Sequence, residues 1–170
     1  GGGIELARQI GVSPSLISQI EHGRVTPSVE TLYRIANALG LSVDAFFNDS
    51  EQPAAQGAPA MRDSRPGAAA SLAEVSNQIV QRGGTRRKIQ LSGGITWERL
   101  TPGPDEQVEY LFVTYPPGSE SCPEDSLVRH GGKEYATVLT GRFGVTIGFE
   151  DYELGPGDSI AFESNNPHRV

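Results

Sequence analysis

The chain has 170 residues, 36% of them hydrophobic, with 21 glycines, 12 prolines and a formal net charge of −7. That length allows one medium domain or two small ones, and the acidic balance counts against a broad nucleic-acid-binding surface. A single cysteine, Cys122, excludes an internal disulfide and reads as an inert loop thiol, with a redox sensor as the alternative. No apolar run approaches membrane length, so the expectation is a cytoplasmic protein with no membrane partner.

The first elements are helical. Ile4-Glu5-Leu6-Ala7-Arg8-Gln9-Ile10 places Leu6, Ala7 and Ile10 on one face, and Gly11-Val12-Ser13 is a short glycine-containing turn. Ser13 then suits a helix cap, Pro14 the first helical position, and Gly23 the left-handed residue past the end. Val12 and Ile17 are spaced as a hydrophobic staple, while Leu16, Ile17 and Ile20 form an apolar stripe. Pro14, Ser15, Ser18 and Gln19 are left facing outward: short, uncharged groups on a helix whose width suits the DNA major groove. Ser28 or Thr26, with Pro27, opens a further helix in which Leu32, Ile35, Ala36 and Leu39 recur at i, i+3, i+4 and i+7. Gly40 closes that helix, and Ser42 caps a last short one carrying Phe46 and Phe47.

Residues 4 to 47 resemble the phage-repressor-like (Xre-type) helix-turn-helix domain, an all-α fold. The resemblance makes Ser13 to His22 the recognition helix and turns Pro14, Ser15, Ser18 and Gln19 toward base edges. Gln19 can bond adenine through N6 and N7, whereas Ser13, His22 and Arg24 would lie near phosphates. In that family a further helix precedes these elements and pairs an arginine with the acid at Glu21, so the chain reads as clipped at its start. Arg8, Arg24 and Arg34 stand against Glu5, Glu21, Glu30, Asp44 and Asp49 in the first fifty residues, which implies modest DNA affinity per protomer.

Residues 48–75 are rich in alanine, proline and glycine with almost no large apolar groups, the composition of a flexible linker. From residue 76 the pattern becomes short β-branched and aromatic runs bounded by glycine or proline: 78–81, 87–91, 95–100 and 108–115. Next come Tyr135 to Leu139, Phe143 to Phe149, and Ser159 to Phe162 after a Leu154-Gly155-Pro156-Gly157-Asp158 turn. Asp158 is expected to accept from N–H groups of that turn. Tyr135, Val138 and Phe162 are expected to fill a core or line a cavity.

This half resembles the cupin family, an all-β barrel related to jelly rolls. His130, Glu134 and Gly141 match its first motif, and Pro156, Gly157, Asp158 and His168 its second. Val128 stands where the family has its first histidine, leaving His130, Glu134 and His168 as the site. Two histidines and a carboxylate suit a divalent metal (Fe, Mn, Zn or Ni); otherwise His130 and Glu134 bond each other or an organic effector. The family fold continues beyond the second motif, so the chain reads as clipped at its end also. The expected organisation is therefore a helix-turn-helix over 1–47, a linker over 48–75 and a cupin domain over 76–170.

Together the two resemblances imply a bacterial one-component transcriptional regulator. It would be a homodimer on double-stranded operator DNA whose cupin domain senses a small-molecule effector, aids dimerisation, or both. The alternative is a metal-dependent cupin enzyme, of dioxygenase or isomerase type, with an appended DNA-binding domain.

Overall fold

The computed structural model describes residues 2–47 and 79–170; the expected linker, 48–75, lies outside them. The described residues pack as two compact units, one of 2–41, 90–95 and 114–170, the other of 42–47, 79–89 and 96–113.

In the first unit, α1 (Gly2–Ile10), α2 (Pro14–Glu21) and α3 (Val29–Leu39) bury a common apolar face. Ala7, Ile10, Ile17, Val29, Leu32, Ile35 and Ala36 supply it, each under a tenth exposed. The caps explain where the helices begin. Ser13 Oγ accepts from Leu16 N at 3.1 Å and Ser28 Oγ from Thr31 N at 3.0 Å, each using one of the donors a helix start leaves over. Thus Ser28, not Thr26, opens α3. Gly23, at φ +65°, takes the left-handed conformation that carries the chain off the end of α2. Arg34 Nη1 donates to Ile10 O at 3.3 Å, so a side chain of α3 closes the C-terminus of α1. Leu39, expected on the buried stripe, is 51% exposed because α3 ends there and Gly40 turns the chain away.

Two antiparallel sheets complete this unit. β4 (Lys133–Thr137) pairs with β7 (Ser159–Glu163), with Glu134 opposite Phe162 and Ala136 opposite Ile160. β5 (Phe143–Ile147) lies between β6 (Glu150–Leu154) and β8 (His168–Arg169), with Val145 opposite Tyr152 and Ile147 opposite His168. The period of two turns Val145, Ile147 and His168 to the face that meets Phe162, whose ring centre is 5.0 Å from that of His168. This is the two-sheet architecture of a small β sandwich.

Several expectations need correction here. The fifth strand stops at Ile147 instead of running to Phe149: Gly148, at φ +62°, makes the hairpin turn and leaves the Phe149 side chain fully in solvent. The chain then returns as β6, a strand hidden in the sequence by its acidic residues. Tyr135 neither fills a core nor lines a cavity, since it points outward at 75% exposure beside Lys133. Val138 is buried. Asp158 Oδ2 accepts from Gly155 N at 2.8 Å across the Pro156-Gly157 turn. Cys122 is buried within its loop, its Sγ donating to Ser126 O at 3.2 Å. Burial is the largest influence on that thiol and pushes its pKa up, which disfavours the reactive thiolate.

The second unit holds the last helical turn, a 3-10 segment at Val43–Phe46, together with most of a sheet of β1 (Lys88–Gln90), β2 (Thr96–Arg99) and β3 (Leu111–Thr114). Val43, Phe47 and Trp97 are buried, and Asp44 and Arg99 are buried with Nη1 of Arg99 3.8 Å from the carboxylate. Glu109 accepts from Val43 N at 3.1 Å and Asp44 from Asp105 N at 3.0 Å, tying the helical turn to the sheet's 105–109 loop. No strand forms over residues 79–81.

Candidate functional site

Two constellations concentrate the chemistry. On α2 and the residues flanking it, Ser13, Pro14, Ser15, Ser18, Gln19, His22 and Arg24 are all exposed, while Ile17 is buried and Leu16 and Ile20 are half-buried behind them. The face thus presents three hydroxyls, a carboxamide and the ring of Pro14, with no charge until Arg24. The Glu21 carboxylate lies back over α1, about 3.6 Å from where a Gly3 side chain would begin. The Ser13 hydroxyl is engaged at the cap yet keeps its own proton to donate. His22 folds back: its Nδ1 donates to Ser18 O at 2.6 Å, so only Nε2 is left to face a ligand.

The second constellation lies between the sheets. Glu134 projects inward from β4, His168 from β8, and His130 from the segment before β4. Their ligand atoms all fall within 4.8 Å of one another. Glu134 Oε1 is 2.8 Å from His130 Nε2 and 3.2 Å from His168 Nε2. The opposite ring nitrogens are occupied, with His168 Nδ1 bonded to Asn166 O at 2.8 Å and His130 Nδ1 to Gly131 O at 3.1 Å. Backbone carbonyls accept only, so each Nδ1 carries its proton and each Nε2 faces the carboxylate. At these distances a proton or a cation must lie between each nitrogen and the carboxylate. Nε2 of His130 and Oε1 of Glu134 are buried and face each other at 2.8 Å, an arrangement that a shared proton or a metal cation satisfies.

The electrostatics agree. Burial raises the Glu134 pKa, but hydrogen bonds from His130 and His168 outweigh it and bring it down from 4.5 to about 2. His168 is pulled down by burial and up by Glu134 and Asn166, with a net upward shift. The donor set therefore fits a divalent metal held on one face by two imidazoles and a carboxylate, leaving further positions open. Val128 occupies the fourth family position as a buried aliphatic group, its backbone paired with His168 in both directions at 2.8 and 3.0 Å.

Phe162 lies beside the cluster as expected of a core or cavity residue, and two further aromatic residues, Tyr115 and Tyr33, carry little sequence signal. Phe162 packs on His168, and Tyr115 packs edge-on to Phe143 with ring centres 5.8 Å apart. Burial, and after it the Glu134 charge, pushes the Tyr115 phenol well above its ordinary range. Tyr33 of α3 lies flat on His130, 4.0 Å between ring centres and 4° between planes.

A capped helix-turn-helix ahead of a β sandwich with an internal His-Glu-His cluster defines a DNA-binding regulator with a sensor domain. The comparisons agree. Residues 4–46 match the helix-turn-helix family and residues 111–170 the cupin domain family. The HTH-type transcriptional regulator PuuR of Escherichia coli (strain K12) is 30% identical over 158 residues, covering 93% of this chain and 72% of that protein. A crystal structure of an HTH_3 family transcriptional regulator from Vibrio cholerae is 20% identical, with a TM-score of 0.49 over 98% of this chain and 77% of that one. Hydroxypropylphosphonic acid epoxidase from S. wedmorenis is 21% identical, with a TM-score of 0.42 over 98% and 80%. The chain belongs to the family of helix-turn-helix transcriptional regulators that carry a cupin domain. Among the described residues no helix is long and apolar enough to cross a membrane.

Proposed function

We propose that the chain acts as a cytoplasmic homodimer that reads operator DNA through α2 and is regulated, without catalysing a reaction, by what binds at His130, Glu134 and His168. The division is a DNA-binding domain over 1–47, a linker over 48–75 and a sensing domain over 76–170. The observation that carries this reading is the outer face of α2, which is uncharged, polar and rigidly capped. Gln19 is the residue assigned to base readout, with Pro14, Ser15 and Ser18 beside it. Ser13, His22 and Arg24 are assigned to the phosphates that set register. In a dimer, two such helices about one DNA turn apart (~34 Å) would match a pseudo-palindrome.

The cupin cluster is assigned a divalent cation of the Fe, Mn, Zn or Ni group, either as the effector itself or as the anchor for a small molecule that fills its open positions. An effector that favours one arrangement of the DNA-binding helices changes operator affinity by that difference alone. Selection of duplexes from a random pool by the full chain tests the reading. Enrichment of a two-fold symmetric sequence, lost in Gln19→Ala, supports it; no enrichment at low salt, with or without added metal, overturns it. The enzyme alternative rests on the open positions beside the same three donors. It requires oxygen uptake or substrate turnover that tracks stoichiometric iron or manganese and disappears in His130→Ala.

A further inference from the structure

We infer that Tyr33 is part of the cupin site, and that its stacking on His130 passes the occupancy of the cluster to the DNA-binding helices. This rests on reading the cluster as a cation or effector site. Its own support is geometric. The Tyr33 ring covers one face of the His130 imidazole in near-parallel contact, while the edge of that imidazole supplies one of the three converging donor atoms.

The stack does not stand alone. Glu30, one helical turn before Tyr33, donates its N–H to Ser121 O at 3.2 Å and accepts from Ser126 Oγ at 2.7 Å. At the base of α3, Ser92 N donates to Pro27 O at 2.8 Å. A cavity of about 220 Å³ separates the remainder of α3 from residues 127–129, lined by Glu30, Tyr33, Arg34, Leu127, Val128 and Arg129. The stacked pair is thus an anchor beside a void, where helix and sandwich have room to shift. The next residue, Arg34, reaches Ile10 O at the end of α1, immediately before the turn into α2. His130, Tyr33, Arg34 and Ile10 therefore form a continuous physical path from the cluster to the helix-turn-helix.

A direction follows from the chemistry of the rings. A cation on Nε2 withdraws electron density from the His130 imidazole, and the electron-rich phenol face of Tyr33 attracts an electron-poor ring more strongly. Cation binding therefore tightens the docking of α3. By reciprocity, the docked α3 raises affinity for the cation by the same factor.

The test uses the full chain stripped of metal and titrated with Co(II) alone, followed by visible absorption. Hydrogen exchange over 29–39 is recorded with and without the metal. The expected results are slower exchange in α3 on Co(II) binding, affinity within twofold of wild type for Tyr33→Phe, and about five- to tenfold weaker binding for Tyr33→Leu. In Tyr33→Leu, which keeps apolar volume but no π face, α3 exchange should no longer respond to Co(II). Wild-type affinity and response in Tyr33→Leu overturn the inference and leave the metal reading standing. If the wild type binds no Co(II), the metal reading falls and the metal-free arm decides the contact. Faster α3 exchange in His130→Ala than in wild type then supports it, and equal exchange overturns it.

Discussion

Replacing Glu134 by glutamine removes the negative charge that holds two imidazoles together in the metal-free protein, so its effect on stability should depend on pH in a defined way. Bringing a carboxyl from 4.5 to about 2 is worth ~3 kcal/mol in full. The Glu134 side chain is 35% exposed, and screening by water reduces that to about 1–2 kcal/mol. For a chain of this size that is roughly 2–8 °C in melting temperature. A carboxylate with a lowered folded pKa stabilises above its unfolded pKa near 4.5 and ceases to do so as pH falls toward about 2. His168, shifted upward, contributes below its unfolded pKa near 6.5 and stops as pH rises through its folded value. The wild-type advantage over Glu134→Gln should therefore peak between about pH 4.5 and 6.5 and shrink on both sides. Calorimetric melts of chelator-treated protein from pH 3 to 9 measure it. An advantage that stays constant over that range, or that grows steadily toward pH 9, would refute the charge-coupled cluster.

Arg24→Ala should weaken specific and random duplexes alike and lower the salt slope by about one, as measured by fluorescence anisotropy against salt concentration. Ser13→Ala removes the acceptor for Leu16 N and should cost about 1 kcal/mol of stability in thermal melts, with a loss of DNA affinity that exceeds the loss of one phosphate contact because the start of α2 frays. Val128→His restores a fourth donor and should tighten Co(II) binding by on the order of tenfold, while its added volume in a buried position costs about 1–3 kcal/mol in the metal-free form.

The helical half was legible because its signals are local. Ser13, Pro14, Ser28 and Gly40 mark boundaries through hydrogen bonds and backbone angles spanning a few residues, and the apolar periods of α1 and α2 name their buried faces. Strand boundaries were less legible. Glu150-Asp151-Tyr152-Glu153 has the composition of a loop and becomes β6 because β5 offers it a register, with Thr146 Oγ1 donating to Asp151 at 2.7 Å. The motif spacing picks out His130, Glu134 and His168, yet it says nothing of Tyr33 or Tyr115. These two reach the cluster through packing between segments distant in sequence, which no period in the chain encodes.

Charge is where composition and function pull apart. A chain carrying −7 gains little from nonspecific attraction to a polyanion, and α2 adds no cation to its outer face. Affinity must then come from directional contacts and from two protomers engaging one site together. In the homodimer proposed above, any free energy that the cupin cluster adds to or removes from the docking of α3 is counted twice on a symmetric operator. A difference of about 1 kcal/mol per protomer becomes about 2, roughly a thirtyfold change in occupancy at subsaturating protein. A strongly basic reading head would hold DNA whatever the cluster contained. The weak electrostatics of this chain leave operator binding within reach of a switch as small as one stacked tyrosine.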